Sequence, residues 1–361
     1  MKITAVNTHL VELPFENPIN TAIHQMRSVG CVLLSIETDE GLVGESYAFT
    51  LNAVRLKAFH EMINGFHHLL LGRDPTMVNA IGQDIWREIN PTGYQGLTIS
   101  ALSTIDTALW DLVGKQAQLP LHRVFGACRE RVKTYASGGL WLSQSIDSLQ
   151  REATDFIQQG FRAMKIRVGS ASMDTDVERV RQVRQAVGPE IELLVDANQA
   201  FTPKHAIRLG RRLQEFDISW FEEPVNVNNI QGHAEVKRAL DLPIATGETV
   251  YTRYGMRPLI EQQAADILMP DLQRIGGLTE MHRVCALAAS YDLPVSTHIF
   301  TEQSLCVAGS AINCISVEHM PWFAKLFNES MVVSEGFIDI PERHGLGFTF
   351  NQETMARYAL C

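Results

Sequence analysis

The chain has 361 residues, of which 45% are hydrophobic and 20% charged, and its formal net charge at pH 7 is −10. This composition is typical of a globular protein with a large core, and the acidic balance without a basic patch argues against a nucleic-acid partner. The sequence has no long apolar run, and its six cysteines are scattered without a CxxC pair. We therefore expect a cytoplasmic protein with reduced thiols that does not span a membrane.

The first 125 residues predict an α+β domain. KITAVNTHLVEL and GCVLLSIETDEGLVGESYA alternate in polarity, which predicts antiparallel strands, with a turn around Asp39–Gly41. The polar segment between them, Pro14 to Ser28, is expected to be a loop. From Ala53 to about Val124 the apolar spacing is helical. An antiparallel sheet followed by helices is typical of an α+β domain.

Residues 126–320 repeat a pattern of strand, turn and amphipathic helix. Eight segments read as strands: VKTYAS, AMKIRV, IELLVDAN, SWFEEP, PIATGE, ADILMPD, PVSTHIF and CISVEHM. Strands that alternate with helices predict a parallel sheet, and eight of them predict a closed barrel, although the last unit is short. Residues 321–361 are mixed in pattern, and we expect this segment to return to the N-terminal domain.

Three carboxylates end three consecutive predicted strands. Asp196, Glu222 and Glu248 each close an apolar run, and 26 residues separate each from the next. This interval suits one βα unit, so the acids should meet at the C-terminal mouth of the barrel. Like charges in a partly dry site stay ionised only when a cation compensates them, and hard oxygen ligands suit Mg²⁺. The alternative role of such acids is to cap the following helices.

Two cations lie one strand before Asp196. Lys165 and Arg167 are two apart on a predicted strand and should share a face that points into the barrel mouth. A lysine beside another cation and partly out of water has a lowered pKa and can act as a base. Arginine stays protonated and can hold a carboxylate or enolate oxygen. The alternative is a pair of cations that only balances the acids.

Three further polar residues end the last three predicted strands. Asp271 and His298 close neighbouring strands, and an Asp that accepts from one imidazole nitrogen leaves the other free to carry a proton. Glu318 ends the last strand, where it could hydrogen-bond to a substrate oxygen opposite the metal. A structural hydrogen-bonding role for His298 and a capping role for Glu318 are the alternatives.

These motifs together resemble the enolase superfamily, and more narrowly its mandelate racemase branch, over nearly the whole chain. The resemblance is carried by ALSTIDTALWDLVGK, K-I-R, V-D-A-N, E-E-P, G-E, P-D, S-T-H and V-E-H. It implies a modified TIM barrel, (β/α)7β, for residues 126–320, and an N-terminal α+β capping domain, residues 1–125, completed by residues 321–361. It also implies roles for three groups of residues: Mg²⁺ ligands at Asp196, Glu222 and Glu248; a Lys-x-Lys position at Lys165 and Arg167; and an acid/base dyad at Asp271 and His298.

The shared chemistry of this branch is removal of the proton next to a carboxylate. Here arginine stands at the second position of the Lys-x-Lys pair, and arginine is a poor proton shuttle at neutral pH. A racemase needs a base on both faces of the substrate, so Arg167 favours catalysis from one face by His298. We therefore predict a Mg²⁺-dependent dehydratase of a sugar acid, an aldonate or aldarate, that yields a 2-keto-3-deoxy acid. The alternatives are a racemase, epimerase or cycloisomerase that uses Lys165 and His298, and a non-catalytic sugar-acid binding protein.

Substrate selection is expected in the segments that cover the barrel mouth. Polar side chains there would pair with substrate hydroxyls once water is excluded. The candidates are Asn20, His24, Tyr47 and Asn198. Ordinary loop polarity is the alternative. The relatives implied by the resemblance also lead us to expect a homo-oligomer, between a dimer and an octamer.

Overall fold

The chain begins with a three-stranded antiparallel sheet, seen in a computed structural model that describes residues 1–360. The strands lie in sequence order: β1 (Ile3–Asn20), β2 (Gln25–Thr38) and β3 (Val43–Leu51). The central strand β2 is buried along most of its length, because helices cover one face of the sheet and the barrel covers the other. The predicted antiparallel strands are thus confirmed.

The segment from Pro14 to Ser28 is not the loop that its polarity predicts. Strands β1 and β2 run on through it, and only residues 21–24 at the hairpin turn lie outside them. The pairing slips between Pro14 and Ile19, which marks a local irregularity. Proline is tolerated here because β1 is an edge strand, where a missing N–H does not break the ladder. The loop prediction was wrong, and the hairpin carries its turn to the barrel mouth.

Five helices follow the sheet: α1 (Leu56–Asn64), α2 (His67–Leu70), α3 (Val78–Glu88), α4 (Leu97–Ala117) and α5 (Leu121–Val124). Helix α4 is buried on nearly all sides and packs between the sheet and the barrel. Its approach to β3 requires Gly44, since a Cβ there would lie 2.2 Å from the carbonyl oxygen of Ala108. The sheet and these helices form the α+β unit that the sequence predicts.

Eight parallel strands close into a barrel. Their order around the barrel follows the chain, and pairing of the last with the first closes the ring. The strands are β4 (Arg131–Ala136), β5 (Ala163–Arg167), β6 (Glu192–Asp196), β7 (Ile218–Glu222), β8 (Ile244–Thr246), β9 (Ile267–Leu268), β10 (Val295–Thr297) and β11 (Cys314–His319). Each of the eight strands overlaps one of the predicted strand segments, so the predicted parallel barrel is confirmed.

Helices connect seven of the eight strands to the next, which gives the (β/α)7β arrangement. The connecting helices are α6 (Ile146–Gln158), α7 (Met173–Val187), α8 (Pro203–Leu213), α9 (Ile230–Ala239), α10 (Thr252–Glu261), α11 (Leu272–Ile275), α12 (Gly277–Ala289) and α13 (Thr301–Ser310). Strand β11 is followed only by a 3₁₀ helix at Pro321–Leu326. None of the helices within residues 1–360 is both long and apolar enough to cross a membrane.

The C-terminal segment touches both parts of the molecule. Strands β12 (Val333–Ser334) and β13 (Phe337–Asp339) form a hairpin that pairs antiparallel with β4. After it, α14 (Gln352–Arg357) leads to a short backbone pairing with β1, in which Leu360 N–H donates to the Leu10 carbonyl at 2.8 Å. The described cysteines are all free thiols, and Cys361 lies outside the described residues.

Candidate active site

The strand register brings the predicted acids to one level at the barrel mouth. Arg167 pairs with Asp196, and Asp196 pairs with Glu222, across β5, β6 and β7. Glu248 follows β8 at the same end of the barrel. Since the C-terminal ends of parallel strands share one rim, the acids reach one cavity despite their separation in sequence. Asp196 and Glu222 are buried.

Lys165 lies at the centre of these acids. Its Nζ is 2.7 Å from Glu222, 2.8 Å from Glu318 and 3.7 Å from Asp196, and its side chain is buried. Burial by itself would lower the pKa of Lys165, but the carboxylates of Glu222 and Glu318 raise it well above its ordinary value. The expected lowering of this pKa was wrong, because acids from distant strands outweigh the effect of burial.

Arg167 lines the cavity, but its guanidinium is held by groups that follow β4. Its guanidinium donates to the carbonyl of Ser137 at 2.8 Å and of Gly139 at 3.3 Å, and to the Ser137 hydroxyl at 2.9 Å. The same group lies over the ring of Trp141, 4.2 Å from its centroid. Cation–π contact and a fork of hydrogen bonds fix an arginine in a way that lysine cannot copy. Its Nε is buried without a hydrogen-bond partner, 3.7 Å from Asp196.

Asp271 and His298 are in direct contact. Nδ1 of His298 lies 2.8 Å from the Asp271 carboxylate, while Nε2 lies 3.3 Å from Glu248 and 3.8 Å from Glu318. Burial would lower the pKa of His298, but Glu248, Glu318 and Asp271 raise it to about 9. The geometry is that of a histidine whose ring is oriented through one nitrogen and whose other nitrogen faces the cavity.

Glu318 links the two sides of the mouth. One of its oxygens accepts from Lys165 at 2.8 Å and from the Ser137 hydroxyl at 2.5 Å. The other accepts from the backbone N–H of Ile299 at 2.8 Å. Burial would raise the pKa of Glu318, but Lys165 and His298 hold it far below its ordinary value. The carboxylate is therefore an anion that contacts both proton-carrying side chains.

The donor set suits a hard divalent cation in chemistry. Burial, together with repulsion from Asp196 and Glu248, raises the pKa of Glu222 to about 8 despite Lys165, and burial raises that of Asp196. Asn198 donates to Asp196 and leaves its own Oδ1 buried without a partner. Carboxylates destabilised in this way favour a compensating positive charge.

In the structure, oxygens of the proposed metal ligands contact protein side chains. Within residues 1–360, no three Asp, Glu, His or Cys side chains stand together as a ready metal-binding group. Lys165 pairs with a carboxylate oxygen of Glu222, and an oxygen of Glu248 lies near Nε2 of His298. Lys165 and a cation would therefore compete for the same carboxylates.

The cavity at the mouth has a volume of about 110 Å³, and residues of the β1–β2 turn line part of it. Of the predicted substrate-binding residues, His24 and Asn198 line it. Asn20 and Tyr47 do not. Tyr47 is buried against the rings of Phe300 and Phe323, at centroid distances of 4.9 and 5.0 Å. Its prediction as a substrate contact is corrected, because an aromatic cluster formed with the barrel encloses it.

Several cavity residues were absent from the sequence prediction. The cavity is also lined by Arg274, in α11 after Asp271, and by Gln199 and Thr249, which follow predicted acids. Trp141 and Trp322 form an aromatic wall, with ring centroids 6.1 Å apart. The first three could have been predicted from their position, since each lies one to three residues after a strand-end acid. No local pattern marks the tryptophans, which are far apart in sequence.

Two family models match the chain. The model for the mandelate racemase / muconate lactonizing enzyme N-terminal domain matches residues 3–126. The model described as enolase C-terminal domain-like matches residues 148–354. The two matches fall on the α+β unit and on the barrel with its C-terminal segment.

Relatives similar to the chain over its length have related activities. It is 31% identical to an L-talarate/galactarate dehydratase of Salmonella typhimurium, over 98% of this chain and 90% of that protein. It is 29% identical to an arabinonate dehydratase of Saccharolobus solfataricus, over 91% and 90%. Among solved structures, a racemase from Streptomyces coelicolor A3(2) with bound magnesium has 31% identity and a TM-score of 0.96, over 99% and 100% of the two chains.

Proposed function

The chain belongs to the mandelate racemase / muconate lactonizing enzyme family of the enolase superfamily, and we propose that it is a Mg²⁺-dependent dehydratase of a sugar acid. The observation that carries the proposal is the placement of Lys165 and His298 against one buried carboxylate, Glu318, beside the strand-end acids. The proposed reaction removes the proton next to the substrate carboxylate and expels the β-hydroxyl as water.

Asp196, Glu222 and Glu248 would hold Mg²⁺. Bound there, the ion supplies positive charge for the substrate carboxylate and for the second negative charge that develops when the α proton leaves. The related structure with magnesium supports this choice of metal. The raised pKa values of Asp196 and Glu222 support it independently, since burial, with repulsion from Glu248, disfavours these carboxylates as anions without a compensating cation.

Lys165 would take the α proton. Its high pKa depends on the carboxylates of Glu222 and Glu318, so compensation of Glu222 by a cation would reduce the pull on the lysine proton. A less strongly held proton makes the amine available as a base near neutral pH. Arg167 cannot share this task, because it stays protonated and is tied to Ser137 and Gly139.

His298 would give a proton to the leaving hydroxyl. Against burial, Glu248, Glu318 and Asp271 raise its pKa, and Asp271, which is not a proposed metal ligand, fixes the ring through Nδ1. The free Nε2 side is then a proton donor directed at the cavity. This division of labour differs from the one-face scheme favoured by the sequence, because Lys165 and His298 reach Glu318 from two sides. The final enol would become a 2-keto-3-deoxy acid.

A second candidate function is proton transfer without loss of water, as in a racemase, epimerase or cycloisomerase. The same two-sided arrangement of Lys165 and His298 favours it, because each could serve one face of a planar intermediate. The similar racemase structure is consistent with this alternative.

One experiment separates these functions. Purified protein with Mg²⁺ is incubated with a library of aldonates and aldarates in D₂O, and products are followed by proton NMR and by reaction with semicarbazide. We expect a 2-keto acid from at least one library member. Deuterium at the α carbon without loss of water would instead establish an isomerase. Ligand-induced thermal stabilisation without either change would identify a binding protein and refute both enzymatic proposals.

The metal assignment has its own test. Glu248→Gln should weaken Mg²⁺ binding, measured by calorimetry, and abolish turnover while the far-ultraviolet circular dichroism stays unchanged. Glu302→Gln is the matched control, since Glu302 is a buried glutamate outside the cavity lining. Full activity of the Glu248 variant in chelator-treated buffer would contradict the assignment.

A further inference from the structure

One cation in the cavity is left largely free by its neighbours. Arg274 lies in α11, lines the cavity, and its side chain is 25% exposed. Its guanidinium makes one hydrogen bond within residues 1–360, from Nη1 to the backbone carbonyl of Glu248 at 2.9 Å. The Asp271 carboxylate is 3.6 Å away, which is too far for a good hydrogen bond. Most of the N–H donors of this group are therefore available to a ligand.

The other cations of the cavity are already committed. Lys165 is held by Glu222 and Glu318, and Arg167 by Ser137, Gly139 and the Trp141 ring. Both lie on β5, on the opposite side of the barrel from β9, after which Arg274 comes. A free guanidinium on that side has no part in the proton transfers proposed above.

His24 approaches Arg274 from the capping side. The ring lies in the β1–β2 turn, lines the same cavity, is exposed, and makes no side-chain hydrogen bond among the described residues. Burial and the charge of Arg274 lower the pKa of His24, so the two groups are close enough to interact. Two nitrogen donors from the two parts of the molecule thus converge where the cap meets the barrel.

We infer that Arg274, together with His24, binds a second carboxylate at the far end of the substrate, which makes the substrate class the dicarboxylic sugar acids. A planar guanidinium matches a carboxylate with two parallel hydrogen bonds, whereas a terminal hydroxymethyl group offers no charge to it. This inference rests on the proposed function, and it chooses between aldarates and aldonates. The names of the relatives include both classes, so they do not make this choice.

The test uses acids that differ only at the far end. Each C5 or C6 aldarate, such as D-glucarate, is compared with the matching aldonate, such as D-gluconate. We expect the kcat/KM of the best aldarate to exceed that of its aldonate. Arg274→Gln should lower kcat/KM for the aldarate about 10- to 100-fold, mainly through KM, and leave the aldonate nearly unchanged. Arg274→Lys should restore part of the loss.

Arg257→Gln provides a matched control. Arg257 is exposed on α10, pairs with Glu261 and does not line the cavity, so its loss should not change the preference. Equal loss for both substrates in Arg274→Gln would overturn the inference, because it would mean that the residue only supports Glu248. Faster turnover of aldonates by the unaltered protein would also overturn it.

A binding measurement decides the matter without turnover. In the His298→Asn variant with Mg²⁺, calorimetry should give a lower Kd for the aldarate than for its aldonate, by about tenfold or more. Adding Arg274→Gln should remove the difference. Equal Kd values for the pair would refute the diacid inference. Absence of any 2-keto product from the whole library, with this binding preference intact, would count only against the proposed dehydration.

Discussion

On the β5 side of the barrel mouth, Lys165 is tied to several carboxylates and Arg167 is tied to backbone carbonyls and an indole. On the β10 side, His298 is held through one nitrogen by Asp271, and its other nitrogen faces the cavity. On the first side, the carboxylates of Glu222 and Glu318 raise the pKa of Lys165 against the effect of burial, and a metal bound to Glu222 would weaken this effect. On the second side, against the effect of burial, Glu248 and Glu318 raise the pKa of His298, and so does Asp271, which lies outside the cavity lining. The two sides thus share Glu318, and only the β10 side has a partner behind the cavity, Asp271.

This difference explains how one site can supply both a base and an acid. Glu318 contacts both groups, but Asp271 contacts only His298, so the two protons are not held by the same set of carboxylates. Asp271 is absent from the cavity lining and contacts His298 from behind, so its charge continues to favour the protonated ring when the acids near Lys165 are compensated. Elimination of water needs one group that accepts the α proton and one that donates a proton to the leaving hydroxyl.

The largest expected effect comes from removing the acid on one side only. His298→Asn should reduce dehydration about 10²- to 10⁴-fold, the usual contribution of a general acid or base. Exchange of the α proton with D₂O should continue, because Lys165 would remain. Proton NMR measures both rates on one sample. Equal loss of exchange and dehydration would show that His298 removes the α proton, and the comparison between the two sides would fail.

Glu318→Gln tests the group that both sides share. Removing this anion takes a hydrogen-bonded charge from Lys165 and a nearby charge from His298. We expect kcat to fall about 10- to 100-fold, with KM changed much less. Steady-state kinetics measure both parameters. Glu302→Gln, at a buried glutamate outside the cavity lining, should leave kcat unchanged; a parallel loss there would mean that the effect is structural.

Arg167→Lys probes the fixed residue of the β5 side. Lysine cannot reproduce the fork of bonds to Ser137 and Gly139 or the planar contact with Trp141, so the free energy of unfolding should fall by about 2 kcal/mol. Urea denaturation measures this change, and the exposed Arg257→Lys serves as control. A stability equal to that of the unaltered protein would show that these contacts do not hold Arg167 in solution.

Asp271→Asn should have the smallest effect, which is a lower pKa of His298, because the substitution removes a negative charge next to the ring. In the metal-free protein the pKa of His298 is raised from 6.5 to about 9, so this group stabilises the fold below pH 6.5 and the gain is lost as the pH rises through about 9. The variant should have a lower pKa, measured by NMR titration of the ring, and a smaller loss of stability over that range. An unchanged pKa would mean that Glu248 and Glu318 alone control the ring.

The sequence predicted what depends on periodicity and failed where distant side chains decide. The repeat of strand-end acids located Asp196, Glu222 and Glu248 because the βα spacing determines the rim of a barrel. The pKa of Lys165 could not be predicted, since it depends on carboxylates from β7 and β11, which the chain brings together only on folding. Tyr47 was misjudged for the same reason, because the phenylalanines that enclose it are more than 250 residues away.

The contact of the last described residues with β1 bears on how the molecule is made. Backbone pairing around Leu10 and Glu12 uses groups from residues 358–360, so the outer edge of the N-terminal sheet stays open until that stretch has been synthesised. An open edge can pair with other chains during translation. During translation the N-terminal sheet is therefore completed only after the barrel has been synthesised. A chain that stopped before residue 350 would contain all the barrel strands but leave the edge of β1 unpaired.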